Sequence, residues 1–235
     1  MLMNINPNKY YNNRRTARCN PRTRRQLTKW DQILPEKVYS LEQPDEFIID
    51  YVRFLRNSKR TKILDLACGA GRHVVFMAQQ GIRVSGTDVS GTGLGMTRER
   101  LRKRALRADL VKSVMTHLPY RDSCFDAVIC TRAIYHQKLA EIRETLSETR
   151  RVLRRGGAVL IDFLSKKTYS YRKGDEIEEN SFVETEGPEK GVIHHFADKK
   201  ELEHLFNCFE ILRIELREKE VEGKLRSRLI VQATK

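Results

Sequence analysis

The residues best placed to do chemistry are two carboxylates and two glycines. Asp65 opens the run Asp65-Leu66-Ala67-Cys68-Gly69-Ala70-Gly71, and Asp88 follows Gly71 by 17 residues. Gly69 and Gly71 remove side chains where a ligand must approach the backbone, and they permit turn dihedrals closed to other residues. A carboxylate in the place of Asp88 can accept both hydroxyl protons of a ribose. Asp65, four residues before Gly69, can anchor the amides of the turn and, directly or through water, a cationic amino group. A dinucleotide loop would need a third glycine for its pyrophosphate; that position is Val74, and Asp65 would have no task there. The pattern asks for adenosine at one end of a ligand and an ammonium at the other. A second glycine run, Gly91-Thr92-Gly93-Leu94-Gly95, follows Asp88 rather than ending a strand. Its glycines weaken the next helix by up to about 1 kcal/mol each, so it reads as a flexible wall over the ligand.

Positioning such a turn takes a strand before it and a helix after it. Lys62 to Ala67 supplies the strand, and the alternation continues with candidate strands at 82–87, 110–114, 125–131 and 158–164. Helices are expected over 46–55 and from about Gly71, Leu94 and Gln137, the last with Leu139, Ile142, Leu146 and Leu153 on one face and Gly156 as its C-terminal stop. A long polar stretch, 165–197, precedes a helix (199–206) and two terminal strands (211–216 and 224–233). Alternating strands and helices predict an α/β fold, a Rossmann-like, doubly wound and mostly parallel seven-stranded sheet with helices on both faces and an antiparallel last strand. Residues 1–28, Asn- and Arg-rich without sustained periodicity, read as a flexible basic arm. Residues 29–235 read as one domain, with 165–197 as a substrate-selecting insertion.

The ligand with adenosine at one end and an ammonium at the other is S-adenosylmethionine. The order Ile63-Leu64-Asp65-Leu66-Ala67-Cys68-Gly69-Ala70-Gly71-Arg72-His73, then Gly86-Thr87-Asp88-Val89-Ser90, then Met115-Thr116-His117-Leu118-Pro119-Tyr120 with Phe125-Asp126-Ala127-Val128, then Arg151 to Gly157, resembles the class I S-adenosylmethionine-dependent methyltransferases. The resemblance spans roughly residues 30–235. It implies that Asp65, Ala67, Cys68, Gly69 and Gly71 surround the methionine part of S-adenosylmethionine and that Asp88 takes the ribose. It further implies that Val89, Met115 and Thr116 line the adenine and that Thr131 lies under the sulfonium. Many relatives carry an acidic residue where Val114 stands, so the adenine contact here falls to backbone groups. The product would be S-adenosylhomocysteine.

Methyl transfer is an in-line displacement at an activated carbon, so the enzyme mainly aligns the partners and excludes water. Tyr135 and His136 follow the fourth strand, where the methyl group should project. His136 is the candidate catalytic residue, as base or acceptor-orienting group, and a buried structural histidine is the alternative. His194 and His195 with Trp30 and Tyr135 are candidates for the acceptor pocket, and Tyr169, Tyr171 and Phe182 could add apolar walls. His194, His195 and His204 invite a metal, but without a Cys or carboxylate at ligand spacing none is expected.

Of the net charge of +14, residues 1–30 with eight Lys/Arg and no acid, and Arg98–Arg107 with a net +5, account for 13. The preferred reading is a small-molecule acceptor, with the arm closing the pocket or pairing with the acidic residues of the insertion. The alternative is an RNA acceptor, of the transfer-RNA kind, clamped by Arg14, Arg15, Arg18, Arg22, Arg24, Arg25 and the 98–107 helix, with Tyr10, Tyr11 and Trp30 stacking on bases. Leu118–His136 and the C-terminal residues resemble transfer-RNA wobble-uridine methyltransferases. A cofactor-binding protein without transferase activity is a third class. No apolar run approaches a membrane span of about 20 residues, and five scattered Cys form no C-x-x-C pair, so a cytoplasmic protein is expected.

Overall fold

The structure is a computed structural model that describes residues 29–235, so the arm expected over 1–28 lies outside the described residues. Residues 29–33 are helical. There follow α1 (Glu46–Asn57), β1 (Lys62–Leu66), α2 (Arg72–Gln79), β2 (Arg83–Asp88), α3 (Gly91–Lys103), β3 (Asp109–Lys112), β4 (Phe125–Cys130), a 3-10 turn (Ile134–His136) and α4 (Leu139–Val152). The remainder comprises β5 (Leu153–Ser165), β6 (Asp175–Glu178), β7 (Ser181–Val183), β8 (Ile193–Ala197), α5 (Lys199–Leu205), β9 (Glu210–Val221) and β10 (Lys224–Thr234).

Successive strand residues serve opposite faces of the sheet. Ile63 of β1 and Ala127 and Ile129 of β4 pack with Ile48, Val52 and Leu55 of α1 and Val74 of α2. Leu64, Leu66, Val128 and Cys130 pack on the other side with Ile142 and Leu146 of α4 and Leu202 of α5. Both faces are therefore covered, as a parallel sheet requires. The strand order is β3-β2-β1-β4-β5-β10-β9, parallel from β3 to β5, with β10 antiparallel to both β5 and β9. These are the seven strands and the antiparallel last strand that the sequence predicts. The chain reverses direction across the sheet between β1 and β4, so ligands belong at the carboxyl ends of those strands.

Three local expectations need correction. The polar stretch after β5 is not featureless: β8 joins the tail of β5 in parallel at Leu164↔Phe196 and Ser165↔Ala197, and carries β7 and β6 as an antiparallel extension. Tyr171, Phe182 and Phe196 pack their rings together to support it. The Gly91–Gly95 run is no flexible wall but the first turn of α3. Ser90 caps it by accepting from Gly93 N, and a Cβ at Gly93 would lie 3.0 Å from the carbonyl oxygen of Gly69. Gly156 does not stop α4, because Leu153 is already extended and paired with Phe125 of β4.

The turn between β1 and α2 is the tightest part of the frame. Gly71 caps α2 at φ +79°, and a Cβ there would come within 2.4 Å of the Thr97 side chain. Thr97 itself donates to the carbonyl of Gly69 at 2.9 Å, which locks α3 onto the turn. Left-handed backbone costs an alanine about 1 kcal/mol or more and overpacking about 1–3 kcal/mol. Gly71→Ala should accordingly destabilise the protein by about 2–4 kcal/mol, read as a lower midpoint in urea unfolding.

Candidate functional site

At the carboxyl end of β1 the chain turns through Ala67, whose φ of +58° is strained for a residue with a Cβ. Asp65 lies beneath this turn, fully buried, and accepts a hydrogen bond from the Val74 amide in the first turn of α2. Its Oδ2 has no hydrogen-bond partner among the described residues. Burial, reinforced by the charge of Asp88, pushes the Asp65 carboxyl up to about 8. A buried carboxylate oxygen with nothing to accept is costly, and a cationic group is what relieves it. Cys68, buried beside it, donates its amide to the Thr87 carbonyl at 2.8 Å, and burial raises its thiol well above the ordinary range.

Asp88 ends β2. Its Oδ2 accepts from the Gly69 amide and its Oδ1 from the Ser90 amide, both at 2.7 Å. Burial lifts this carboxyl to about 6 against the pull of those two amides. Ser113 N donates to the Asp88 carbonyl at 2.9 Å, which ties the segment carrying Met115 and Thr116 to the end of β2. Val89, Met115 and Thr116 are half-buried there. Residues 29–34 run across the two turns. Asp31 accepts from Ser90 Oγ (2.6 Å) and Thr92 N (2.9 Å), and Leu34 places its methyl groups against Gly69 and Gly93.

Thr131, at the end of β4, meets His73 Nδ1 at 3.2 Å. The Asp45 amide donates to His73 Nε2 at 3.3 Å, so Nδ1 carries the proton and donates to Thr131. Burial and the Arg72 guanidinium hold the His73 imidazole down to about 3, hence neutral. Arg72 forks onto both oxygens of Asp45, and Arg132 reaches the same carboxylate at 2.8 Å. Asp162 of β5 then accepts from Arg132 N (2.6 Å) and Arg228 (2.5 Å), and Arg228 lies over the Tyr135 ring at 5.4 Å. The floor near Thr131 is thus a fixed lattice of cations and carboxylates.

An aromatic wall adjoins it through Tyr135. The His136 ring lies 4.5 Å from Tyr135, 4.8 Å from Trp30 and 4.9 Å from His194 between centroids. His136 Nδ1 faces the Ile193 carbonyl at 3.2 Å, and His194 Nε2 meets Glu189 at 2.7 Å. Four of the residues expected at the acceptor pocket, Trp30, Tyr135, His136 and His194, are therefore together. His195 is not among them. On a strand its side chain takes the opposite face from His194, and it is buried between Ser181 Oγ and Glu201, each at 2.8 Å. His204 is elsewhere again, on the Lys200 carbonyl. Tyr171 and Phe182 pack against Phe196, and Tyr169 is ringed by Lys173, Lys224 and Arg226.

Sequence reasoning missed Asp31, Asp45, Asp162 and Glu189. Asp31 and Asp45 sit outside any motif, and Asp162 is hidden in an apolar strand. Glu189 was legible only as one of seven acids in the 165–197 stretch, although it stands five residues before His194.

The methyltransferase-domain family model matches residues 63–157, from β1 into β5. The chain is 34% identical over 96 residues to an uncharacterized methyltransferase of Synechocystis, covering 41% of this chain and 43% of that one. It is 32% identical over 111 residues to a ubiquinone biosynthesis O-methyltransferase of Azoarcus, covering 47% of each. The matched region is thus less than half the length of either relative. A solved SAM-dependent methyltransferase of Methanosarcina mazei has the same fold, with a TM-score of 0.69 over 82% of this chain and 98% of that one at 23% identity. With this sheet order, the strained turn after β1 and the carboxylate ending β2, the chain has the fold of S-adenosylmethionine-dependent methyltransferases, and its residues 63–157 match the methyltransferase-domain family.

Proposed function

We propose that the protein transfers the methyl group of S-adenosylmethionine to a small-molecule acceptor held between Trp30, Tyr135, His136 and His194. One observation carries the reading: a buried, unpartnered oxygen of Asp65 stands beside an Asp88 carboxylate anchored by two amides, at the ends of adjacent strands. The first suits an ammonium and the second a ribose diol, so the residues present fit the cofactor. Ala67, Cys68, Gly69 and Gly71 would enclose its methionine part, Val89, Met115 and Thr116 its adenine, and Thr131 would lie under the sulfonium. When bound, the cofactor supplies a methyl carbon already activated by a positively charged sulfur. The chain's own residues then align the acceptor and keep water out, with Trp30 and Tyr135 as walls and His136 orienting the acceptor atom. The unit 29–235 acts as one methyltransferase domain in this reading, and the 165–197 insertion, which supplies His194, selects the acceptor.

Two observations favour a small acceptor over RNA. On α3, Arg100 donates to the carbonyls of Ser40, Leu41 and Ala70, while Arg102 pairs with Glu99 and Arg104 with Glu42, so much of that basic face is already engaged. One relative is named for ubiquinone biosynthesis, a small-molecule task. Among the described residues no helix is long and apolar enough to cross a membrane, and the buried free thiols Cys68, Cys124 and Cys130 support a reducing compartment such as the cytoplasm.

Incubating the protein with methyl-labelled S-adenosylmethionine and fractionated cell extract should place label in the small-molecule pool; label in RNA would overturn that choice of acceptor. Asp88→Asn should weaken cofactor binding roughly 30- to 150-fold, the loss of charge-assisted hydrogen bonds of about 2–3 kcal/mol, in calorimetric titration. The ammonium needs the ionised Asp65 and the ribose the ionised Asp88, so cofactor affinity should fall as pH drops through about 8 and fall more steeply below about 6, and Asp88→Asn should remove only the lower step. His136→Ala should cut turnover by about 100-fold or more while leaving cofactor affinity nearly intact, a split that a purely structural histidine would not give.

A further inference from the structure

Three side chains of the acceptor wall come from separate parts of the chain and converge. His136 is on the turn after β4, Glu189 is in the loop between β7 and β8, and His194 is on β8; each presents a ligating atom within 4.8 Å of the others. We propose that they form a binding site for one divalent transition-metal ion of the zinc, iron(II) or manganese class. The proposal rests on the reading above only in placing the ion beside the acceptor.

The surroundings fit ligation. A metal-binding imidazole uses one nitrogen on the ion and donates from the other to a carbonyl or carboxylate, which fixes its tautomer and plane. His136 meets this condition, since its Nδ1 faces the Ile193 carbonyl at 3.2 Å and ligation falls to Nε2. His194 already points its Nε2 at Glu189 at 2.7 Å, and a second carboxylate, Glu184, stands 3.9 Å from its Nδ1, outside hydrogen-bond distance but within reach of a side-chain rotation. Glu189 is oriented in turn by the Tyr39 hydroxyl. An ion would replace the proton now shared between His194 and Glu189 and draw in His136. Ligand atoms around an ion with bonds of about 2.1 Å stand about 3.0–3.5 Å apart, so side-chain rotation closes the remaining gap.

Donor chemistry selects the ion. Two imidazoles and one carboxylate favour borderline metals, whereas calcium and magnesium take oxygen ligands. Three protein ligands also leave coordination positions open, unlike the closed sets of structural zinc sites. Trp30 and Tyr135 flank the cluster, so an open position would face the acceptor, which the ion would hold through an oxygen or nitrogen lone pair. The expectation of no metal concerned His194, His195 and His204, which the strand alternation separates. The carboxylate and the second imidazole come instead from Glu189 and His136.

The test uses the full chain, stripped with chelator and desalted, and titrated with Zn²⁺ by calorimetry and with Co²⁺ by visible absorption. One equivalent should bind. His136→Ala, His194→Ala and Glu189→Gln should each weaken binding by about 100-fold or more, since even outer partners of a metal site contribute about 10- to 100-fold. His204→Ala should leave binding unchanged. Retained S-adenosylmethionine affinity in each variant verifies folding and keeps this test apart from that of the methyl-transfer reading. Binding that survives all three substitutions, absence of a one-equivalent site, or a near-ultraviolet thiolate band with Co²⁺ would overturn the proposal.

Discussion

Two backbone amides, those of Gly69 and Ser90, point at one carboxylate, and the turns after β1 and β2 hold their relative positions by sharing it. Asp88 is buried against the electrostatic preference of an isolated carboxylate, and the amides offset part of that cost. The strain at Ala67, the close contact of Gly71 with Thr97 and the cap of α3 all lie within a few residues of this junction. Asp65 is left with an unpartnered oxygen because its neighbours serve the turn instead of that atom. The site is preorganised by groups that ordinary folding would avoid, which is where strained and desolvated residues concentrate when they serve a ligand.

The central frame was legible because both faces of β1 and β4 are buried, so these strands read as apolar runs ending at a turn and a carboxylate. The Asp65–Gly71 turn and Asp88 stood out for the same reason: their chemistry lies in local spacing. What failed to show was non-local. The Gly91–Gly95 run looked unfit for a helix because propensity counts the missing side chains, whereas packing of Leu34 and the Gly69 carbonyl against Gly93 leaves no room for one. Strands β6–β8 were hidden because their stretch is rich in Glu, and their stability comes from ring packing and from pairing with the tail of β5. Gly156 was a sound stop signal overridden by the sheet, which claims Leu153 first. Glu189 carried no signal of its own, since its role depends on two residues that the chain alone does not bring near.

The two ends of the site differ in electrostatic character. Around Thr131 the groups are charged, numerous and mutually pinned, with Asp45 holding the guanidinium groups of Arg72 and Arg132, and Asp162 holding that of Arg228 together with the Arg132 amide. Around His136 the groups are rings and one carboxylate, held by packing and a few directed hydrogen bonds. Residues 29–34 touch both regions, through Trp30 on His136 and through Asp31 and Leu34 on the turns. Lys29 adds a hydrogen bond to the Lys190 carbonyl, beside Glu189. This short segment therefore couples the turns after β1 and β2 to the aromatic wall around His136 without belonging to the sheet.

On β8, His194 and His195 have the same side chain and opposite fates. One meets Glu189 in the aromatic wall and the other is enclosed by Ser181 and Glu201, and parity along the strand alone decides which. A slip of one residue in the pairing Phe182↔His194 would exchange them, still with an imidazole on each face, but it would take Phe196 from the rings of Tyr171 and Phe182 to the opposite face, which is also buried. The segment between β7 and β8 is therefore constrained in register as well as in identity, since besides Glu184 and Glu189 it carries a buried Val192 and glycines at positive φ at 187 and 191.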